Sequence, residues 1–230
     1  MRKKFYHWAP KGCLSKNQIL ENISILETHE YQEFKLYANR LGDNFSNQSE
    51  FYLLNKFPHG LNPRGLNCMF AKRNVDDVLK ELYLEQARLA VNEKLPSRLS
   101  CFYAFDSIDT AREYKKESLD DDGKEYELFE IECGQNSYFR FDQKIADLLK
   151  QGLFGELYTI KDKFGNVIDI LRRETHYIAT CSLLAEAYWK QGSISEIFPQ
   201  VEGRWEYLIE FPVKIIAKIE DTNLKERRET

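Results

Sequence analysis

The chain has 230 residues, 43% of them hydrophobic and 13% aromatic, with a formal net charge of −4. This length and apolar content support one large folded domain or two small ones, and they exclude a disordered chain. The acidic balance argues against a broad electrostatic grip on nucleic-acid backbone and leaves only a local basic patch open. Five cysteines (Cys13, Cys68, Cys101, Cys133, Cys181) are widely spread and form no Cys-x-x-Cys pair. That spacing points away from a zinc site or a disulfide framework and toward reduced thiols in the cytoplasm. The basic start from Met1 to Trp8 leads into no apolar run of signal-peptide length. No stretch approaches the ~18 apolar residues of a membrane span. A soluble cytoplasmic protein without membrane contact is expected.

Phe5 to Pro10 reads as a short aromatic strand closed by Pro10 and Gly12. Ile19, Leu20, Ile23 and Leu26 are spaced like a helix face, and Phe34 to Leu41 reads as a second short helix. The stretch from Gly42 to Arg73 is rich in turn residues and is expected to be a long loop or insertion. Asn74 suits an N-cap for a helix whose apolar face runs through Val75, Val78, Leu79, Leu82, Gln86, Leu89 and Ala90. A loop at Leu95–Leu99 then enters a strand over Ser100–Phe105, followed by a helix over Ser107–Lys116.

The acidic turn Asp120–Asp122 lacks the spacing of a calcium loop and reads as solvated. Tyr126–Cys133 and Ser137–Phe141 alternate like two strands of one hairpin. Ile145–Leu149 suggests one or two helical turns. Glu174–Lys190 is a helix with Ile178, Cys181, Leu184, Ala185 and Tyr188 facing inward. Trp205–Ile209 and Val213–Ile219 are strands broken at Pro212, and residues 221–230 form a charged tail. The order of elements predicts an α+β fold with an antiparallel sheet, as a single domain over residues 1–220 with a loop-rich insertion around 42–73.

The four histidines (His7, His29, His59, His176) show no metal-ligand spacing, and no phosphate-binding glycine loop or nucleophile elbow is present. Cys101 reads as a small core residue rather than a nucleophile. Three spots carry chemistry, each with a plain structural alternative. Arg98, with Ser97 and Ser100, sits at a strand mouth and suits an anion such as a phosphate, or is simply an Arg paired on the surface. At the end of the first strand, Tyr6 can stack on a flat ring and His7 can bond a ligand hydroxyl, or both are half-buried edge residues. Glu206 is flanked by Trp205 and Tyr207 at a loop-to-strand junction. It suits a ribose hydroxyl and a developing positive charge, or a surface salt bridge.

Tyr6-His7, the run from Ser97 to Tyr103, and Trp205–Ile209 followed by Val213–Ile216 together resemble the three motifs of the ADP-ribosyltransferase superfamily, in the same order and at similar wide spacing. Pro96–Lys116 further resembles a group of uncharacterised bacterial and phage proteins near that superfamily. The middle motif lacks the Ser-Thr-Ser run of the Arg-type toxins, which favours the His-type subgroup. Many members that modify Arg, Asn or Cys carry Gln or Glu two residues before the catalytic Glu. Arg204 stands there instead, as a phosphate contact or as a structural partner of Glu202 or Glu206.

The resemblance implies a split antiparallel sheet with flanking helices and NAD as co-substrate, with no metal. It places the nicotinamide against Tyr103 and Tyr6, the adenosine ribose on His7, the diphosphate on Arg98 beside Ser100, and the nicotinamide ribose on a catalytic Glu206. The acceptor is a macromolecule, protein or nucleic acid undecided, as for a toxin, an antiviral effector or a phage protein. An antitoxin or regulator is a further partner compatible with it. The alternative is a non-enzymatic binding protein on the same fold, using the 42–73 segment as its surface.

Overall fold

The computed structural model describes residues 3–70, 75–119, 123–134, 138–154, 157–161, 164, 166–172 and 177–220. Within them the chain mixes α-helices with antiparallel sheets, and it divides into two compact units. Unit 1 comprises residues 1–21, 102–140 and 205–230, and unit 2 comprises residues 22–101 and 141–204.

Unit 1 is built on strand β1 (Lys4–Pro10), whose alternation puts Phe5 and Ala9 on one face and Tyr6 and Trp8 on the other. β1 pairs antiparallel with β4 (Tyr126–Cys133), β4 with β9 (Val213–Ile219), and β9 with the two-residue β2 (Ile19–Leu20). A second sheet runs in the order β3 (Phe102–Ala104), β8 (Trp205–Ile209), β5 (Tyr138–Asp142), the last crossing the unit boundary. A single antiparallel bridge, Tyr6 with Phe105, links β1 to the end of β3. Phe5, Ala9, Phe129 and Ile131 from the first sheet share one apolar core with Phe102, Ala104, Tyr207 and Ile209 from the second. Helix α5 (Ile108–Ser118), capped by the Ser107 hydroxyl, covers the other face of β1, where the Trp8 indole donates to the Ala111 carbonyl at 2.6 Å.

Two expectations for this unit fail. Tyr126–Cys133 and the following strand are not a hairpin, because β4 and β5 belong to different sheets. Ile19–Leu26 is not a helix: Asn17 takes a positive φ, and Asn17 and Gln18 exchange backbone hydrogen bonds with Ile215. Ladder pairing with β9 outweighs the local 3.6-residue spacing there.

Unit 2 holds the remaining helices: a 3₁₀ turn (Ile25–Glu27), α1 (His29–Leu41), α2 (Asp43–Lys56), α3 (Pro63–Met69), α4 (Val75–Asn92), α6 (Gln143–Phe154), α7 (Tyr177–Trp189) and the short α8 (Ile194–Ile197). It also contains the ribbon of β6 (Leu157–Lys161) and β7 (Val167–Arg172). The 42–73 segment is therefore helical over most of its described length rather than loop-rich. Its apolar residues follow no single stripe, so its helices lack the periodic signature. Cys181, Leu184, Ala185 and Tyr188 of α7 are buried as expected. Asn74, the acidic turn at 120–122, Ile178's burial, His176 and the tail lie outside the described residues.

Asn62 organises the approach to the second motif. Its Oδ1 caps α3 by accepting from the Gly65 amide at 2.6 Å, and its Nδ2 donates to the carbonyls of Arg98 (2.8 Å) and Cys101 (2.5 Å). A Cβ on Gly65 would lie 2.2 Å from the Leu99 carbonyl oxygen, so only glycine permits this approach. Gly65→Ala is expected to destabilise the fold by about 1–3 kcal/mol through overpacking against backbone. A lowered urea midpoint would show this, and an unchanged midpoint would contradict it.

Candidate functional site

Within unit 1, the structure gathers Tyr6, His7, Tyr103 and Glu206 on three neighbouring strands. The Tyr6 amide donates to the Phe105 carbonyl at 2.7 Å, and the Phe105 amide returns a bond to the Tyr6 carbonyl at 2.8 Å. One residue on, His7 Nδ1 lies 2.7 Å from the Tyr103 carbonyl oxygen, and its ring packs on Phe102 at 4.4 Å between centroids. A carbonyl can only accept, so Nδ1 carries the proton, and in the neutral ring Nε2 is an acceptor. On β8, Leu208 pairs with Tyr103 and Tyr207 pairs with Ala104, so Glu206 falls one residue beyond, toward Phe105.

Strand alternation then sorts the side chains. Tyr6, Tyr103 and Glu206 share one face of β1, β3 and β8, whereas His7 turns to the face of Phe102, Ala104 and Tyr207. Tyr6 and His7 thus do not line one surface together, which corrects the expectation drawn from their adjacency. Neighbours in a strand point to opposite sides. Tyr6 packs instead toward Trp8 and Phe105. Glu206 is 3% exposed. Tyr207, on the opposite face, donates to Asp106 at 2.8 Å, and burial together with that bond pushes its phenol up to about 12.

The other expected residues belong to unit 2 and serve its interior. Arg98 is 2% exposed; its Nε donates to Glu81 at 3.0 Å and its Nη1 donates to the Tyr188 hydroxyl. A diphosphate contact from Arg98 would require this buried pair to open, so neither the exposed strand-mouth Arg nor the surface pair describes it. Residues 98–100 form a turn rather than the start of a strand, with the Ser100 amide and hydroxyl both directed to the Ser97 carbonyl at 3.1 and 3.3 Å. Glu81 also meets Arg64 at 3.2 Å and Lys80 at 3.6 Å. Burial alone would raise its pKa, but Arg98, Lys80 and Arg64 outweigh this and hold it far below the usual carboxylate range.

Arg204 is likewise interior. It donates from Nε to Gln143 at 2.9 Å and from Nη2 to Asp147 at 2.9 Å. Arg204 is thus a structural cation, held by Gln143 and Asp147, and this withdraws the phosphate-contact option. The flanking turn is tied by Asp142, which accepts from the amides of Arg204, Ile194 and Lys144 and from the Ser193 hydroxyl. Asn62, Glu81 and Asp142 are the residues that reading the chain missed. Only Asn62 carried a local signal, as an N-cap type directly before Pro63.

The chain belongs to the family described as protein of unknown function (DUF2441), whose model matches residues 5–221. That span includes all three motifs. No curated protein matches the chain. Among the described residues, no helix is long and apolar enough to cross a membrane.

Proposed function

We propose that the chain is an NAD-dependent ADP-ribosyltransferase that transfers ADP-ribose to a macromolecular acceptor and releases nicotinamide. The observation carrying this reading is the junction of β1, β3 and β8. There Tyr6, Tyr103 and Glu206 share a face, and the His7–Tyr103 hydrogen bond fastens β1 to β3. The two sheets joined by the Tyr6–Phe105 bridge also suit the split-sheet expectation.

In this reading Tyr103 and Tyr6 supply flat apolar walls for the nicotinamide. His7, on the opposite face, acts here only by fastening β1 to β3 through its bond to the Tyr103 carbonyl. As the bond between nicotinamide and C1′ of the ribose lengthens, positive charge develops on the sugar. Glu206, held in a low-dielectric surround, bonds the 2′-hydroxyl and stabilises that charge. The electron pair of the broken bond leaves with nicotinamide, and an acceptor nucleophile closes on C1′ as its proton passes to Glu206. Arg98 and Ser100 take no part, because both are engaged within unit 2.

Incubation with NAD labelled in its adenylate moiety, with cell lysate as acceptor source, tests the reading. Wild type is expected to transfer label and release nicotinamide, and Glu206→Gln to lose at least a hundredfold in rate, the usual cost of removing one electrostatic stabiliser. Equal rates for the two proteins, or no NAD turnover by wild type, would overturn it. Release of nicotinamide without labelled acceptor would mark a glycohydrolase instead. A second reading, a binding protein without catalysis, is favoured by the large apolar side chains exposed on α1 and α2: Leu36, Tyr37, Leu41, Phe51 and Leu54. In that case a partner captured from lysate would survive alanine at His7 and Glu206.

A further inference from the structure

The face of unit 1 opposite Glu206 ends in a cluster of aromatic rings and cations that the proposed chemistry does not use. Tyr138, Arg140 and Lys3 are exposed, Trp205 is half-buried, and Phe5 and Tyr207 are buried beneath them. On β5, Tyr138 and Arg140 alternate outward on the same side, and both are exposed. The Arg140 guanidinium lies 3.6 Å from the centre of the half-buried Trp205 ring on β8. The exposed Lys3 ammonium stands 4.2 Å from the Tyr207 ring and 5.2 Å from both Tyr138 and Phe5. Phe5, Tyr138 and Tyr207 touch one another at 5.0–6.1 Å between centroids. Among the described residues, Asp106 lies against this cluster, and its carboxylate accepts from the Tyr207 hydroxyl.

We infer that this surface binds single-stranded nucleic acid, with phosphates at Lys3 and Arg140 and unstacked bases on Tyr138, Trp205 and the Arg140 plane. Rings of this kind stack on any base, and the two cations supply the complementary charge. A guanidinium lying flat on an indole is itself a platform for a base while its edge meets phosphate. Duplex DNA fits poorly, because its bases are already stacked and this chain is acidic overall. The inference goes beyond the transferase reading and rests on it in one respect only: if both hold, the acceptor class is nucleic acid.

Fluorescence anisotropy of the full chain with a fluorescein-labelled mixed-sequence 12-nucleotide DNA, its RNA counterpart and its DNA duplex tests this at low salt. Wild type should bind the single strands more tightly than the duplex, and the DNA and RNA arms show which backbone is preferred. With two phosphates neutralised, log affinity should fall against log salt with a slope of about −1.4. Arg140→Ala should reduce that slope by about 0.7. Trp205→Leu should weaken binding about tenfold through lost stacking. Arg140→Lys should retain the salt slope yet bind more weakly, a signature that general unfolding does not produce. Glu206→Gln should bind as wild type does, so the result is readable whether or not NAD is consumed. No binding by wild type, equal affinity for duplex, or unchanged binding by Arg140→Ala and Trp205→Leu would overturn the inference.

Discussion

Glu81→Gln is expected to be the most damaging single-atom change in unit 2, lowering stability by about 3–5 kcal/mol. Glu81 is 2% exposed and is the carboxylate on which Arg98, Arg64 and the buried Lys80 converge. An amide of the same shape keeps the packing but leaves those cations without their shared anion. Burial already lowers the Lys80 pKa, with Glu81 opposing, so the variant is expected to release a proton from Lys80. Urea denaturation at neutral pH measures the loss, and a change below 1 kcal/mol would contradict it.

The pH dependence follows from the same pair. The folded-state pKa of Glu81 is depressed, so its contribution is fully present above the unfolded value near 4.5. It is lost as pH falls from there toward the lower folded value, because the unfolded chain then binds the extra proton. Wild type should therefore lose stability on acidification more steeply than Glu81→Gln.

Asp142→Ala is expected to cost about 3 kcal/mol, since three amides and one hydroxyl lose a common acceptor at a site that is 0% exposed. Here the pH effect has the opposite sign. Burial raises the Asp142 pKa, only partly countered by hydrogen bonds from Ile194, Arg204, Lys144 and Ser193. The folded chain thus takes up a proton before the unfolded one does, and stability from this group falls as pH rises through the window between the two values. The advantage of wild type over Asp142→Asn should accordingly widen between pH 7 and pH 4. A constant difference would show that Asp142 titrates alike in both states. Gly203 belongs to the same knot: a Cβ there would sit 2.3 Å from the Asp142 carboxylate.

α4 shows why part of the chain was illegible. The helix itself follows from its periodic apolar residues, yet Leu82 and Leu89 of that stripe are 47% and 36% exposed. The buried side instead carries Lys80, Glu81, Leu84 and Arg88. A hydropathy pattern scores these charges as outward-facing. They are interior because Arg98, the Glu85 carboxylate and the Glu93 and Leu95 carbonyls meet them there. Glu85 is one turn away on the same helix, but Arg98 and the Glu93 and Leu95 carbonyls come from beyond its end, where no local rule pairs them. Arg98 was singled out for the same reason in reverse. A cation at a strand mouth looks available until its partner, 17 residues earlier, is placed beside it.

By itself, the sequence determined the elements whose signal is local. Strand alternation marked β1, β4, β8 and β9. A helix start at Asp106–Asp109 marked α5, and inward residues at helical spacing marked α7. It also singled out Tyr6, Tyr103 and Glu206, because aromatic and acidic residues at strand ends are visible without their neighbours. Only the tertiary structure decided which strands meet. It separated β4 from β5, joined β1 to β3 through Tyr6 and Phe105, and turned His7 to the face opposite Tyr6. It also assigned Arg98 and Arg204 to the interior. The physical reason is that burying a charge, or pairing two strand edges, depends on groups that are close in space and far apart in the chain.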